Sequence, residues 1–189
     1  MTNGGSMPVR FTCDGTSTTP PLQWSGAPAS NTAGPTPSPV PTVPLTERQA
    51  GSGAPAGTVS YAVVMHHVAG PGDVHWYWVL YGIAPDVTQI AEGATVPATL
   101  GNNSVNARNQ YAPPCSKGPG QKAYTYTVYA LSKVPTFAAG TAVNRDALLA
   151  AIATTTLGSS SMTVTYERPA NATTAATNAA SQTGAGAAP

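Results

Sequence analysis

Apolar and alternating runs along the chain predict the strands of a sheet. Residues 59–65 and 76–83 are short, apolar and rich in β-branched or aromatic side chains, which is typical of buried strands. Residues 123–131 (AYTYTVYAL) alternate, so that successive side chains point to opposite faces. Residues 162–167 predict a last strand. The pattern therefore indicates a mostly β single domain.

One helix is predicted near the end of the domain. Asn144 is a residue type that caps helix N-termini, and it precedes a helical pattern over residues 145–154. Leu148, Leu149 and Ile152 fall on one side of that helix. This spacing gives the helix a single apolar face to pack against a sheet.

Several segments lack the apolar residues that a core requires. Residues 25–57 are rich in proline, glycine and small polar residues, and we expect an extended, mobile insertion. Residues 169–189 predict a disordered tail, and residues 1–8 a flexible N-terminus. Between these segments, a short strand is expected from Arg10, followed by a turn at Asp14–Gly15.

Composition narrows the classes of function. The chain has 189 residues, only 8% of them charged, and a net charge of +1, so it lacks the basic surface that nucleic-acid binding needs. No run approaches the roughly 18 apolar residues that predict a membrane span. A low content of charged residues with abundant Ala, Thr, Ser and Pro is a surface composition common in secreted proteins. We therefore expect a secreted or periplasmic protein whose signal is absent from this sequence, with a cytoplasmic location as the alternative.

Two cysteines, Cys13 and Cys115, leave two interpretations open. As a disulfide they would close a loop of about 100 residues and could add about 4 kcal/mol of stability. As buried thiols they would act as small apolar residues. The secreted composition favours the disulfide.

Candidate chemistry is concentrated in one tract. All three histidines, His66, His67 and His75, and two of the three tryptophans lie within residues 61–83. A Gly/Pro turn separates His66 and His67 from His75, so the imidazoles should meet at one end of a sheet. On a strand the adjacent His66 and His67 point to opposite faces. Histidine carries protons, binds metals or contacts anions near neutral pH.

Short motifs occur in a fixed order along the chain. They are FTCDG at 11–15, PPLQW at 20–24, PAGT at 55–58, WVLY at 78–81, AEG at 91–93, GNNS at 101–104 and YAPPC at 111–115. This ordered series resembles the phosphatidylethanolamine-binding proteins, and most closely the bacterial Raf-kinase-inhibitor-like group of YbhB/YbcL type. The resemblance covers residues 9–168 and is interrupted by the Pro-rich insertion. It implies a large antiparallel sheet packed on a smaller one, with a few peripheral helices and a small anion pocket at one edge.

The resemblance also implies the pocket residues, although this chain changes their chemistry. The family's Asp-Pro-Asp-x-Pro run corresponds to residues 67–71 here, Tyr77 stands where the family has one histidine, and Lys122 stands where it has another. The resemblance further brings Cys13 near Cys115. The implied ligand-binding residues are His67, His75, Tyr77, Pro114, Lys122 and Tyr124.

Each site has a competing interpretation. The pocket residues could be a polar sheet edge whose side chains hydrogen-bond to one another and to water. Polar groups that converge in a cleft favour the other interpretation, a pocket for phosphate or carboxylate. A zinc site would have only His67 and His75, with Asp73 as a third ligand, which is one fewer than usual for a closed site. A catalytic site has little support, because the sequence contains no Gly-x-Ser-x-Gly motif and no evident Asn or Asp that would orient a histidine beside Cys115.

We therefore expect a non-enzymatic binding protein without a cofactor. Its partner would be a small anionic or phosphorylated ligand, such as a phospholipid headgroup, and it could act as an inhibitor-like modulator of kinases or proteases. The alternative is a protein-interaction or inhibitor module with a vestigial pocket. A small metal-dependent or hydrolytic enzyme is the third hypothesis.

Overall fold

The computed structural model describes residues 1–24, 54–95, 97–116 and 120–168. Residues 25–53 of the predicted insertion and the predicted tail at 169–189 lie outside the described residues. The described elements, in chain order, are β1 (Leu22–Gln23), β2 (Ser60–Gly70), β3 (Asp73–Ile83), β4 (Gln89–Ile90), β5 (Thr99–Leu100), β6 (Lys122–Leu131), α1 (Arg145–Ile152) and β7 (Thr156–Tyr166).

Two antiparallel sheets organise the described residues. The larger sheet has five strands in the order β5-β3-β2-β6-β7, and the smaller pairs β1 with β4. The described residues also form one α-helix and one short 3-10 helix. The resemblance implied a few peripheral helices. The prediction of a mainly β fold with a large and a small antiparallel sheet is confirmed.

The two faces of the large sheet bury different side chains. One face packs large aromatic residues, including Trp78 and Tyr126, against the N-terminal segment. The other packs Val64 and Val79 against Leu148 and Ile152 of α1. Alternate residues of one strand serve opposite faces, so each central strand contributes to both clusters.

The helix begins where its sequence predicts. The Asn144 side-chain oxygen accepts a 2.8 Å hydrogen bond from the backbone N–H of Ala147, which satisfies a helix-start donor. Leu148 and Ile152 are buried, while Leu149 is partly buried at the edge of the same cluster. The helix ends at Ile152, slightly before the predicted residue 154.

The start of the chain differs from the sequence expectation in one element. Val9–Phe11 forms a 3-10 helix and not a strand. Residues 1–8 lie along β7: the backbone N–H of Gly4 donates to the carbonyl of Thr163 and that of Met7 to the carbonyl of Thr165, each at 2.7 Å. An edge strand offers unpaired backbone groups, and this segment pairs with them while burying Met7.

Candidate ligand pocket at the hairpin end of the sheet

A cavity of about 400 Å³ opens at the end of the large sheet where β2 turns into β3 and β6 begins. Five of the six side chains that the sequence implied line this cavity. Pro114 does not: it is buried, and its carbonyl oxygen accepts a 3.1 Å hydrogen bond from the N–H of Cys13. The lining residues are His67, Ala69, His75, Tyr77, Ser104, Val105, Pro113, Cys115, Ser116, Lys122 and Tyr124.

Strand register brings the polar residues of the cavity together. His67 on β2 pairs directly with His75 on β3. Tyr77 is two residues beyond His75, and Tyr124 is two beyond Lys122, so each pair shares one face of its strand. Three neighbouring strands therefore direct their side chains into one cavity, although their residues are far apart in sequence.

Three aromatic rings that line the cavity contact one another. The ring of Tyr124 lies 5.4 Å from the imidazole of His67 and 5.4 Å from the ring of Tyr77, the second contact being edge-to-face. The Tyr124 hydroxyl is buried and has no hydrogen bond of good geometry, although the hydroxyls of Tyr77 and Ser116 lie near it. Burial and the neighbouring Tyr77 raise the pKa of Tyr124, so this phenol stays protonated.

Both imidazoles of the cavity, those of His67 and His75, lie next to a polar partner. Nδ1 of His67 lies 2.8 Å from the carbonyl oxygen of Ala123. A carbonyl oxygen only accepts, so Nδ1 carries the proton and Nε2 is left for a ligand. Nε2 of His75 lies 3.0 Å from a carboxylate oxygen of Asp73, and both side chains are well exposed.

Lys122 gives the cavity its fixed positive charge. It is the first residue of β6 and is half-buried. None of the ion pairs found among the described residues includes Lys122. Its ammonium group is therefore available to an anion that enters the cavity.

The loop after β5 also lines the cavity, through Ser104 and Val105. These two residues were not predicted from the sequence as part of the site. Ser104 Oγ donates to the carbonyl of Trp76 and accepts from its N–H, so this hydroxyl is already satisfied. The buried Asn103 side chain holds the loop by bonding to the backbone of Val105 and Arg108. The GNNS motif at residues 101–104 indicated this loop in the sequence. A motif alone does not show which contacts its residues make.

One wall of the cavity contains the disulfide between Cys13 and Cys115. Their Cα atoms are 5.2 Å apart and the bridge joins positions separated by 102 residues. This bridge decides between the two interpretations that the sequence left open. Cys115 is exposed and lines the cavity, whereas Ser116 beside it is buried with an unbonded hydroxyl.

His66 lies apart from this cavity, on the helix side of the sheet. Burial, then the positive charge of Arg145 and the neighbouring His67, lower the pKa of His66. In the ranges that the structure describes, no group of three or more His, Cys, Asp or Glu side chains could hold a metal ion. Within the same ranges, no helix is both long and apolar enough to cross a membrane.

Comparison with solved structures supports the fold. A putative phosphatidylethanolamine-binding protein homologue from Chlamydia trachomatis superposes with a TM-score of 0.68 at 22% identity, covering 89% of this chain and 94% of that one. YbcL of Escherichia coli, described as a member of the mammalian PEBP family, gives a TM-score of 0.67 at 20% identity with the same coverage.

Sequence comparison extends the likeness. A UPF0098 protein of Methanothermobacter thermautotrophicus is 26% identical over 169 residues, which is 87% of this chain and 92% of that protein. The putative lipoprotein LppC of Mycobacterium tuberculosis is 30% identical over 133 residues, 68% of this chain but only 51% of LppC. The sequence model of the phosphatidylethanolamine-binding protein family matches residues 1–167. The chain therefore belongs to the phosphatidylethanolamine-binding protein family.

Proposed function

We propose that this protein binds a small anionic or phosphorylated ligand in the cavity at the hairpin end of the sheet, without transforming it. Family membership supports a binding protein in general. The single observation that carries the anion assignment is Lys122, a cation that lines the cavity and takes part in none of the ion pairs of the described residues. Free phosphate, phosphorylated small molecules and phospholipid headgroups share the chemistry that such a site recognises.

The neighbouring groups suit the oxygens of a phosphate. Tyr77 and Tyr124 carry hydroxyls whose pKa values are raised by burial, so both remain hydrogen-bond donors. Nε2 of His67 also donates when the ring is protonated, because Nδ1 is held by a carbonyl. Hydrogen bonds to a charged group contribute about 1.5–3 kcal/mol each, so these donors and Lys122 could together retain an ion.

The bridged cysteine supports binding without catalysis. Cys115 was the candidate nucleophile, but its sulfur is bonded to Cys13. Attack on a substrate requires a free thiolate, which a disulfide does not provide. Ser104, another lining residue, uses its hydroxyl for the backbone of Trp76.

We also propose that the protein works outside the reducing cytosol. Disulfides persist in oxidising compartments, and the Cys13–Cys115 bridge ties one wall of the cavity. The similarity to LppC, which is described as a putative lipoprotein, points to the same exported location.

Calorimetric titration with inorganic phosphate and with phosphoethanolamine tests the anion assignment. Lys122→Met should weaken binding about tenfold or more, which corresponds to ~1.4 kcal/mol. Lys133→Met is the matched control, since Lys133 is exposed beyond the opposite end of β6 and does not line the cavity. The proposal fails if the unaltered protein binds neither probe, or if both variants bind as the unaltered protein does.

A further inference from the structure

We infer that the Cys13–Cys115 disulfide is an exchange site for anionic low-molecular-weight thiols, and that opening it weakens ligand binding in the cavity. The first half of this inference stands on the position of the bridge. The second half rests on the proposed anion binding.

The two cysteine residues differ in their exposure and in their position relative to the cavity. Cys115 is exposed and lines the cavity, whereas Cys13 is half-buried. Thiol–disulfide exchange requires a thiolate to reach one sulfur in line with the bond that breaks, so access decides which sulfur is attacked. A small thiol that enters the cavity therefore meets Cys115 first.

The exchange is balanced without any further reactant. The incoming thiolate forms a bond to Sγ of Cys115 while the Cys13–Cys115 bond breaks, and Cys13 leaves as a thiolate that takes a proton from water. A second thiolate then attacks the small-molecule sulfur of the mixed disulfide and releases Cys115 as a thiolate, which is protonated in turn. Two thiols supply the two electrons and depart as one oxidised small-molecule disulfide.

The charge of the cavity selects the class of thiol. Lys122 and Cys115 line the same cavity, and the lysine is absent from the ion pairs of the described residues. A fixed cation in a cleft raises the local concentration of anions and the rate at which they associate. Thiols that carry a carboxylate should therefore react faster than neutral thiols of similar size.

Opening the bridge should loosen one wall and leave the rest of the fold in place. Two hydrogen bonds join the same segments beside the disulfide: Cys13 N–H to the carbonyl of Pro114 at 3.1 Å, and the Tyr111 hydroxyl to the carbonyl of Phe11 at 2.6 Å. These bonds hold the chain up to Pro114. Beyond Pro114, Cys115 and Ser116 line the cavity, and the disulfide is the covalent bond that fixes them to Cys13.

The exchange site is tested by incubating the oxidised protein with 3-mercaptopropionate or with neutral 2-mercaptoethanol, followed by alkylation and peptide mass mapping. The mixed disulfide should form on Cys115 and not on Cys13. The ratio of the two thiols' rates should fall about threefold or more in Lys122→Met and stay unchanged in Lys133→Met. An adduct on Cys13, no adduct on either cysteine, or an unchanged ratio in Lys122→Met would overturn the assignment.

The coupling to binding is tested by phosphate titration of the oxidised protein, the reduced protein and the Cys13→Ser/Cys115→Ser double variant. Reduction should weaken phosphate binding about threefold or more, and the double variant should match the reduced protein. Equal affinity in oxidised and reduced protein contradicts the coupling. If the oxidised protein binds no phosphate, the proposed function fails while the adduct mapping still decides the exchange site; if the reduced protein unfolds by circular dichroism, the claim of a local loosening is wrong.

Discussion

The hydroxyl of Tyr111 donates a 2.6 Å hydrogen bond to the carbonyl oxygen of Phe11, joining residues 100 positions apart. Tyr126 is also buried, but its hydroxyl has no hydrogen-bond partner in the described residues. Both rings pack in the same aromatic cluster. Two phenols in similar surroundings therefore differ in one respect, the satisfaction of the hydroxyl.

Removing these two hydroxyls should have different effects on stability. Tyr111→Phe leaves a buried carbonyl without its donor and should lower the free energy of unfolding by about 1–2 kcal/mol. Tyr126→Phe removes an unsatisfied buried group and should leave the free energy of unfolding unchanged or raise it. Urea denaturation of both variants measures the difference. Equal destabilisation of the two proteins would contradict the hydrogen-bond assignment.

Gly101 is required by close packing rather than by its backbone angles. A Cβ at this position would clash with the carbonyl oxygen of Val143 and lie 2.6 Å from Cγ1 of Val79. Gly101→Ala should therefore cost about 1–3 kcal/mol of stability, since overpacking forces neighbouring atoms apart. Gly70→Ala is the control, because a Cβ there meets nothing within 4 Å. Thermal unfolding of the two variants should separate them; a neutral Gly101→Ala would show that the loop is not packed as described.

The central strands could be predicted because their apolar runs are long enough to specify burial. Their ends could not. β2 continues from the predicted residue 65 to Gly70 because His66, His67 and Val68 pair with β3 across the hairpin. Backbone pairing extends a strand beyond the core, and such pairing leaves no apolar signal in the sequence.

β7 shows the same limit more strongly. Its prediction began at residue 162, but the strand starts at Thr156. The stretch from Gly158 to Ser161 is small and polar, and it pairs with β6 through backbone hydrogen bonds and hydroxyl contacts such as Thr127–Ser161 at 2.9 Å. The strand exists there because β6 offers a partner, not because its own residues favour burial.

The family resemblance, together with the strands, brought the cavity-lining residues into view, while their role in binding stays a prediction. The five lie on β2, β3 or β6: His67, His75, Tyr77, Lys122 and Tyr124. The loop walls were not predictable, since they depend on hydrogen bonds that have no sequence period. The YAPPC motif gave Pro114, but Pro113 is the proline that lines the cavity.

The lowered pKa of His66 predicts an acid-sensitive stability. The ordinary pKa is 6.5, and burial, with the charge of Arg145 and the neighbouring His67, lowers it in the folded protein. Below pH 6.5 the unfolded chain therefore binds more protons than the folded one, so the contribution of His66 is present above that pH and is lost as the pH falls towards the folded pKa.

His66→Gln should reduce this pH dependence. Urea denaturation at pH 7.5 and 5.5 should show a smaller loss of unfolding free energy in His66→Gln than in the unaltered protein. His75→Gln is the control, because His75 is exposed and lies on the pocket side. The same loss in His66→Gln as in the unaltered protein would exclude His66 as the titrating group.

The buried hydroxyl of Tyr124 should contribute to anion binding over a wide pH range. Burial, followed by the neighbouring Tyr77, raises the pKa of Tyr124, so the phenol stays protonated and can donate through neutral and mildly alkaline pH. Tyr124→Phe keeps the ring contacts with His67 and Tyr77 but removes that donor. A hydrogen bond to a charged group such as phosphate contributes about 1.5–3 kcal/mol, so phosphate affinity should fall roughly tenfold to a hundredfold.

The matched control for Tyr124→Phe is Tyr126→Phe, which removes a hydroxyl two residues further along β6 that does not line the cavity. Its phosphate affinity should equal that of the unaltered protein. The stability of Tyr124→Phe should not fall, because the hydroxyl it removes is buried without a hydrogen bond of good geometry. A loss of phosphate affinity with unchanged stability therefore identifies a ligand contact. Unchanged affinity in both variants at pH 7 and pH 9 would show that the bound anion does not contact the Tyr124 hydroxyl.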